Sequence, residues 1–376
     1  MNIEIRIDPS IRAVPEADWD ALDGIDDAPF LRHVWLDTLE RTGCVGEGTG
    51  WAPHHLTFWQ EGKLVAAAPC YLKGNSEGEF VFDHGWANAA HRAGIPYYPK
   101  LLVAVPFTPA NGHRLLVARP EDRPRLLPVL AEALRKIVAS EKLSSAHVLF
   151  LTEPEAKVLA SAGLCHRLGI QFHWHNHGYA TFEDFLSRFS SKRRNQIRRE
   201  RKEMGKQGIE IQTERGAFSP ALIDDVYAFY ASTVDKFVWG RHYLNRAFFE
   251  EICQKLAGHL EIVVAREGKK AIAGAFNIAG KRTLYGRYWG AREERPFLHF
   301  NVCFYHSIDE CIARGYERFE PGAGGEHKMV RGFEPTLTHS VHHLVHPGLD
   351  RAVRDYLERE REAHLESARM GEMAFR

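Results

Sequence analysis

A chain of 376 residues is longer than one typical core and sets an expectation of about two domains. Apolar content of 44% and charged content of 26% are those of an ordinary globular protein, and a formal net charge of zero gives no global field for nucleic acid or a membrane surface. Six scattered cysteines without a C-x-x-C pair argue against a disulfide framework or a cysteine-rich zinc site, and no apolar run approaches the ~18 residues of a membrane span. The amino terminus has no apolar core of signal-peptide length, so the expected location is cytoplasmic.

In chain order, an amphipathic helix is expected over 32–41. A hairpin follows in HLTFWQEGKLVAAAPCYLKG (55–74), turning at Glu61-Gly62-Lys63, where glycine supplies a positive φ. Tyr97-Tyr98-Pro99-Lys100 and the proline-rich 106–112 flank an apolar strand at 101–105, and a helix is expected over 123–140. These residues alone leave open whether the segment shapes a site or a connection. His173, His175 and His177 alternate, which on a strand puts all three on one face at zinc-ligand spacing. No carboxylate or cysteine stands immediately beside them, so packed histidines at a domain junction are the preferred reading and no metal site is assigned.

Residues 190–206 read SSKRRNQIRRERKEMGK, with a local net charge of +6. Ser190 or Ser191 caps this expected helix and Gly205 ends it. Its cations cover most of the circumference, and Ile197 is the only large apolar residue before Met204. The bland reading is a solvated helix. The functional one is a polyanion site, since arginine forks suit phosphate. No aromatics interleave for base stacking, which weakens sequence-specific RNA recognition.

A helix over 246–256 leads to a second hairpin, LEIVVAREGKKAIAGAFNIAG (260–280), turning at Glu267-Gly268-Lys269. That is 206 positions beyond the first Glu-Gly-Lys, and each hairpin also has a later helix, 123–140 or 301–314. A period this long means duplicated domains rather than a solenoid. In the back half, strands at 262–266, 271–279 and 283–290 form an expected antiparallel meander, then helix 301–314 and strand 316–320. This matches the acyltransferase fold of N-acetyltransferases. Its helix normally presents an amino terminus to a pyrophosphate, but the loop here, Ala291-Arg292-Glu293-Glu294-Arg295-Pro296, lacks the glycine-rich cradle that coenzyme A favours. The expected fold is α+β, two tandem GNAT-like domains, each a mainly antiparallel sheet flanked by helices. Expected bounds are 1–170, 171–345 and a helical tail 346–376.

Within strand 283–290, strict alternation places Tyr285, Arg287 and Trp289 on one face and Tyr288 on the other. The densest chemistry follows in FEPGAGGEHKMVRGF (319–333). Pro321, Gly322, Gly324 and Gly325 let backbone amides approach a ligand, and Glu326, His327, Lys328 and Arg331 add an acid, a base and two cations.

YYPKLLVAVPFTP (97–109), SSKRRNQIRRERK (190–202), LYGRYWGA (284–291), PFLHF (296–300) and FEPGAGGEHK (319–328) together resemble the FemAB-like predicted N-acyltransferases, a family labelled for peptidoglycan biosynthesis or recognition. The resemblance runs nearly end to end. It implies two tandem acyltransferase folds, and a more distant similarity to Fem aminoacyltransferases that draw on aminoacyl-tRNA. In those, a Lys/Arg-rich segment like 190–202 is associated with substrate phosphates. The long coiled-coil arm that some Fem enzymes use for tRNA has no counterpart here, and Gly324 stands where relatives are expected to carry glutamine.

The leading expectation is N-acyl transfer of an acyl or aminoacyl group to an amine, with a cell-wall precursor as acceptor, acyl-CoA or aminoacyl-tRNA as co-substrate and no resident cofactor. Glu326 or His327 is the expected base, with Tyr285 or Tyr288 and backbone amides of 322–325 as hydrogen-bond donors. Lys192, Arg193, Arg198, Arg199, Arg287, Trp289, Gly322, Gly325, Lys328 and Arg331 are candidate substrate-binding residues, as are Tyr98 and Lys100. The rivals are a non-catalytic binding module for a peptidoglycan precursor or other polyanion, and RNA binding through 190–206.

Overall fold

The computed structural model describes residues 3–236 and 240–373, except the side chains of Glu326 and 371–373. The chain divides into two compact units. One is Met1–Ile170 with Leu337–Ala368, the other Gln171–Thr336 with Arg369–Arg376. Residues 337–368, placed by sequence in the second domain and tail, therefore group with the first unit.

In the first unit, a small antiparallel sheet runs in the order Glu4–Asp8, His55–Gln60, Lys63–Ala68, Leu116–Val117. A second runs Glu334–Leu344, Ser145–Leu151, Lys100–Val103, Cys70–Lys73, Trp51–Pro53, with one parallel pair, Lys100–Val103 beside Ser145–Leu151. Helix Arg123–Ser140 buries Leu126, Leu130, Leu134 and Ile137, spaced by three or four, in one core with Leu56, Leu101, Val103 and Val148.

The second unit has four antiparallel strands in the order Ile209–Glu214, Leu260–Glu267, Lys270–Ala279, Thr283–Ala291. The short strand Arg318–Glu320 then joins in parallel with Thr283–Ala291, which is the meander, helix and further strand expected from sequence. The helix between them starts earlier than expected, at Leu298–Phe300. It passes through a π-helical turn, Asn301–Tyr305, before His306–Arg314. Such turns widen a helix locally and often mark functional positions.

Both hairpins form, and each carries a β-bulge two residue pairs from its turn, opposite Phe58–Trp59 and opposite Ala265–Arg266, where Val65 and Ile272 are the extra residues of the returning strands. The turn residues are Glu61-Gly62 in one and Gly268-Lys269 in the other, so the structural correspondence is one residue off the Glu-Gly-Lys match. A third bulge corrects the alternation expected for 285–289. Ile278 pairs with Tyr285 and Phe276 with Tyr288, leaving Arg287 as the extra residue. Because 276 and 278 share a face, Tyr285 and Tyr288 share it too, and Trp289 turns to the other.

The basic helix spans Ser191–Lys206, capped by Ser190, whose side chain accepts from the Arg193 N–H. Gly205 lies inside it and does not end it; the left-handed residue is Gly208, at φ 67°. Ile197, Glu200 and Met204 form its buried face at helical spacing. No helix among the described residues is long and apolar enough to cross a membrane.

Candidate active site

The parallel pairing of Thr283–Ala291 with Arg318–Glu320 lasts three residues, to Tyr285↔Glu320. Beyond it the first strand continues to Ala291, while the other chain departs through Pro321 and the glycine run. A Cβ on Gly286 would lie 3.2 Å from Pro321 Cα, so the fork closes tightly on a residue without a side chain. Gly322, Gly324 and Gly325 all take left-handed φ of 73–90°, which folds the loop back over the short helical turn Glu326–Arg331.

That fold-back buries Lys328, only 4% exposed, and aims its Nζ at the carbonyl oxygens of Gly322 (2.8 Å) and Ala323 (3.4 Å). An ammonium has three N–H donors, so one remains uncommitted among the described residues. Burial draws the amine down to about 8. Two imidazoles stand nearby. His299 is lowered to about 4 by burial and then by His327, Lys328 and Arg331. Exposed His327 is lowered by burial and then by the same two cations, which leaves it a neutral base at neutral pH. Trp289 packs on His299 at 4.6 Å between ring centroids, and His327 rests against Phe300 and Phe304 at about 6 Å.

The inner face of the basic helix completes the group. Glu200 is 1% exposed and accepts from Tyr305 Oη (2.5 Å), Gln196 Nε2 (2.9 Å) and Arg331 Nη2 (3.5 Å), and Arg193 Nη1 in turn donates to Gln196 Oε1. Arg331 also donates to the His327 carbonyl, and its guanidinium lies 3.3 Å over the Phe300 ring. Tyr305 Oη is held protonated by burial and by Glu200. Arg331 is thus a buried clamp that fixes the 326–331 turn against two helices.

Structure thus brings together Arg193, Trp289, Gly322, Gly325, His327, Lys328 and Arg331. Arg198 is paired with Glu183 at 2.5 Å, whereas Lys192 and Arg199 are exposed and without an ion-pair partner among the described residues. Tyr285 is 1% exposed, and Tyr288 packs on Tyr230, Phe249 and Phe276, where with Val226 and Phe229 it lines a small apolar recess. Arg287 lies 5.4 Å from the Tyr288 ring. The Glu326 side chain lies outside the described residues. Tyr98 and Lys100 belong to the first unit. The histidines of 173–177 make separate hydrogen bonds, to Gln171, Thr336 and Glu334. Sequence reasoning gave no role to Glu200, Tyr305 or His299. Glu200 carried a signal by sharing the 197, 200, 204 stripe with Ile197 and Met204, and His299 by lying in PFLHF, whereas Tyr305 carried none.

The sequence model of the FemAB_like family, described as peptidoglycan biosynthesis/recognition, matches residues 10–375. Among solved structures the chain is similar to FemX at 12% identity and TM-score 0.54, covering 94% of this chain and 100% of that one. It is also similar to L-PGS from Bacillus licheniformis (10% identity, 85% and 95% covered, TM-score 0.49) and to a tandem GNAT protein from the clavulanic acid biosynthesis pathway (13% identity, 92% and 99% covered, TM-score 0.48). No curated protein matches. At such identity the likeness to FemX is one of fold.

Proposed function

We propose that this chain, which belongs to the FemAB-like family of peptidoglycan biosynthesis/recognition proteins, transfers an acyl or aminoacyl group to the amine of a cell-wall precursor. The observation that carries the reading is Lys328, a buried ammonium with one N–H uncommitted among the described residues, held under the glycine loop and next in sequence to the neutral imidazole of His327. The acceptor nitrogen forms a bond to the donor's carbonyl carbon, and the negative charge gathering on the carbonyl oxygen is met by this Lys328 N–H. His327 takes the proton the nitrogen sheds, and the C–O or C–S bond to the leaving group breaks as the carbonyl reforms.

An anionic substrate is supported by Lys192, Arg199 and Lys202, exposed on the outer face of the basic helix and without ion-pair partners among the described residues. The loop where a GNAT enzyme would receive a pyrophosphate offers less. Arg292 is paired with Asp225 at 2.5 Å, and Arg295 with Glu293 at 2.8 Å. That pairing favours an aminoacyl ester over acyl-CoA as donor. The test offers purified protein each donor, acyl-CoA or aminoacyl-tRNA, with an amine-bearing muropeptide, and reads acceptor mass. A gain of one acyl group is expected from the aminoacyl ester. Muropeptide binding with no product from either donor would overturn transfer in favour of a binding module.

A further inference from the structure

Two buried lysines stand face to face in the first unit. Lys73 and Lys100 are direct cross-strand partners of Cys70–Lys73 and Lys100–Val103, and both are 0% exposed. Like charges opposed on neighbouring strands repel, and a buried ammonium without a counterion is costly. The pair therefore needs anions.

Asp83 supplies one. Lys100 Nζ donates to its Oδ2 at 2.5 Å and Tyr97 Oη donates to the same oxygen at 2.6 Å. Burial acts to raise this carboxyl, but Lys100 outweighs it and holds Asp83 at about 2. Glu79 supplies the other, accepting from Lys100 Nζ at 2.9 Å through Oε2. It is held by fewer bonds, one through Oε2 against the two that Asp83 Oδ2 accepts, and the second oxygen of each carboxylate, Glu79 Oε1 and Asp83 Oδ1, has no hydrogen-bond partner among the described residues. Burial pushes the Glu79 carboxyl up to about 7, and draws the Lys73 amine down to about 7. Among the described residues, Lys73 Nζ donates only to Asn75 Oδ1 and the Glu77 carbonyl, above the Trp51 ring at 3.9 Å.

The two sides of this cluster differ in construction. The lysines are fixed on paired strands. Ser76, Glu79 and Asp83 all come from 74–83, which is neither strand nor helix, and where Phe82 is 66% exposed. Ser76 Oγ is shared with Lys100 and with the half-buried Tyr98 hydroxyl at the rim.

We propose that the Lys73–Lys100 pair is a carboxylate-binding site, that Glu79 occupies the ligand's place in this structure, and that a small monocarboxylate takes that place as residues 78–82 lift, with Ser76 and Asp83 staying on Lys100. Charge decides the ligand class. Asp83 offsets one of the two lysines, so a single negative charge neutralises the remainder, whereas a phosphate dianion would leave an excess charge in a poorly solvated site. The site uses only groups of the first unit and stands whether or not the transfer reading holds.

The test uses the full chain with N-acetylglycine as the carboxylate probe and N-acetylglycinamide as its uncharged control. Calorimetry and hydrogen–deuterium exchange are read together. The acid binds, exchange at 78–82 rises with it, and the amide does neither. Glu79→Gln removes the internal competitor and tightens binding by about tenfold or more, while Lys73→Gln abolishes it. A wild-type chain with neither binding nor changed exchange at 78–82 overturns the proposal, as does Glu79→Gln with unchanged affinity. Acetate that restores the melting temperature of Glu79→Ala, but leaves the wild type untouched, would show that Glu79 only fills a structural gap.

Discussion

Lys328 is the residue on which pH should act most visibly. Its amine sits at about 8 in the folded chain against 10.5 ordinarily, so the ammonium is present below pH 8 and lost above it. If the ammonium meets the developing oxyanion, the transfer rate falls as pH rises through about 8. Lys328→Arg, whose guanidinium does not deprotonate, should move that descending limb upward. Stability runs the opposite way. A depressed lysine favours the fold above its unfolded value and loses that advantage as pH falls through about 8. Denaturant melts at rising pH should therefore show the wild type gaining on Lys328→Met. Substitution at Glu200 tests the buried clamp. Glu200→Ala leaves Arg331 buried without its carboxylate and should cost about 3–5 kcal/mol, whereas Tyr305→Phe, losing one hydrogen bond to a charged group, should cost about 1.5–3 kcal/mol. Urea unfolding of the two variants separates these cases.

At the level of elements, the strand Thr283–Ala291 is set by what lies on it. A Cβ on Gly290 would fall 1.8 Å from the Phe229 carbonyl oxygen, part of the backbone of helix Pro220–Val234, which has no flexible end to move aside. Gly290→Ala should cost about 3 kcal/mol, the upper end of ordinary overpacking. Gly205 has nothing within 4 Å of its Cβ position and lies inside a helix, so Gly205→Ala should add roughly 0.5–1 kcal/mol of stability instead. Both read out by urea titration. Alternation and helical spacing made these elements legible, because burial on one face leaves its period in the sequence. A bulge leaves none. Arg287 reads as an ordinary strand residue, and only the pairing of 276 with 288 shows that it displaces Tyr288 onto the Tyr285 face. Glu200 reads as one anion among cations, yet the apolar residues three before and four after it marked the buried stripe. The partners of Lys100 had no such mark, since Glu79 and Asp83 come from an irregular segment about twenty positions upstream, where no period constrains them.

For the whole molecule, the duplication visible in the two hairpins is real at the level of bulge and turn, but the chain does not divide at one point. Strand Glu334–Leu344 pairs with Ser145–Leu151, and Leu344, Leu349, Val353 and Leu357 pack with Trp86 and Tyr97 in the first unit. A fragment ending at residue 170 would expose the Ser145–Leu151 edge and this apolar cluster. It should fail to fold cooperatively, and co-expressed residues 337–373 should restore a sigmoidal melt followed by circular dichroism. Sequence could not show this return, because a helix of alternating charges such as 350–366 looks the same whether it docks or is solvated.

The most direct measurement is the single-turnover rate of acyl transfer to an amine-bearing muropeptide, followed by product mass, for the wild type and Lys328→Met side by side. The variant should form the same product on the order of 10²–10³ times more slowly, the usual cost of losing one oxyanion donor. Equal rates in a folded Lys328→Met variant would contradict the assignment of the 319–333 loop as the transfer centre.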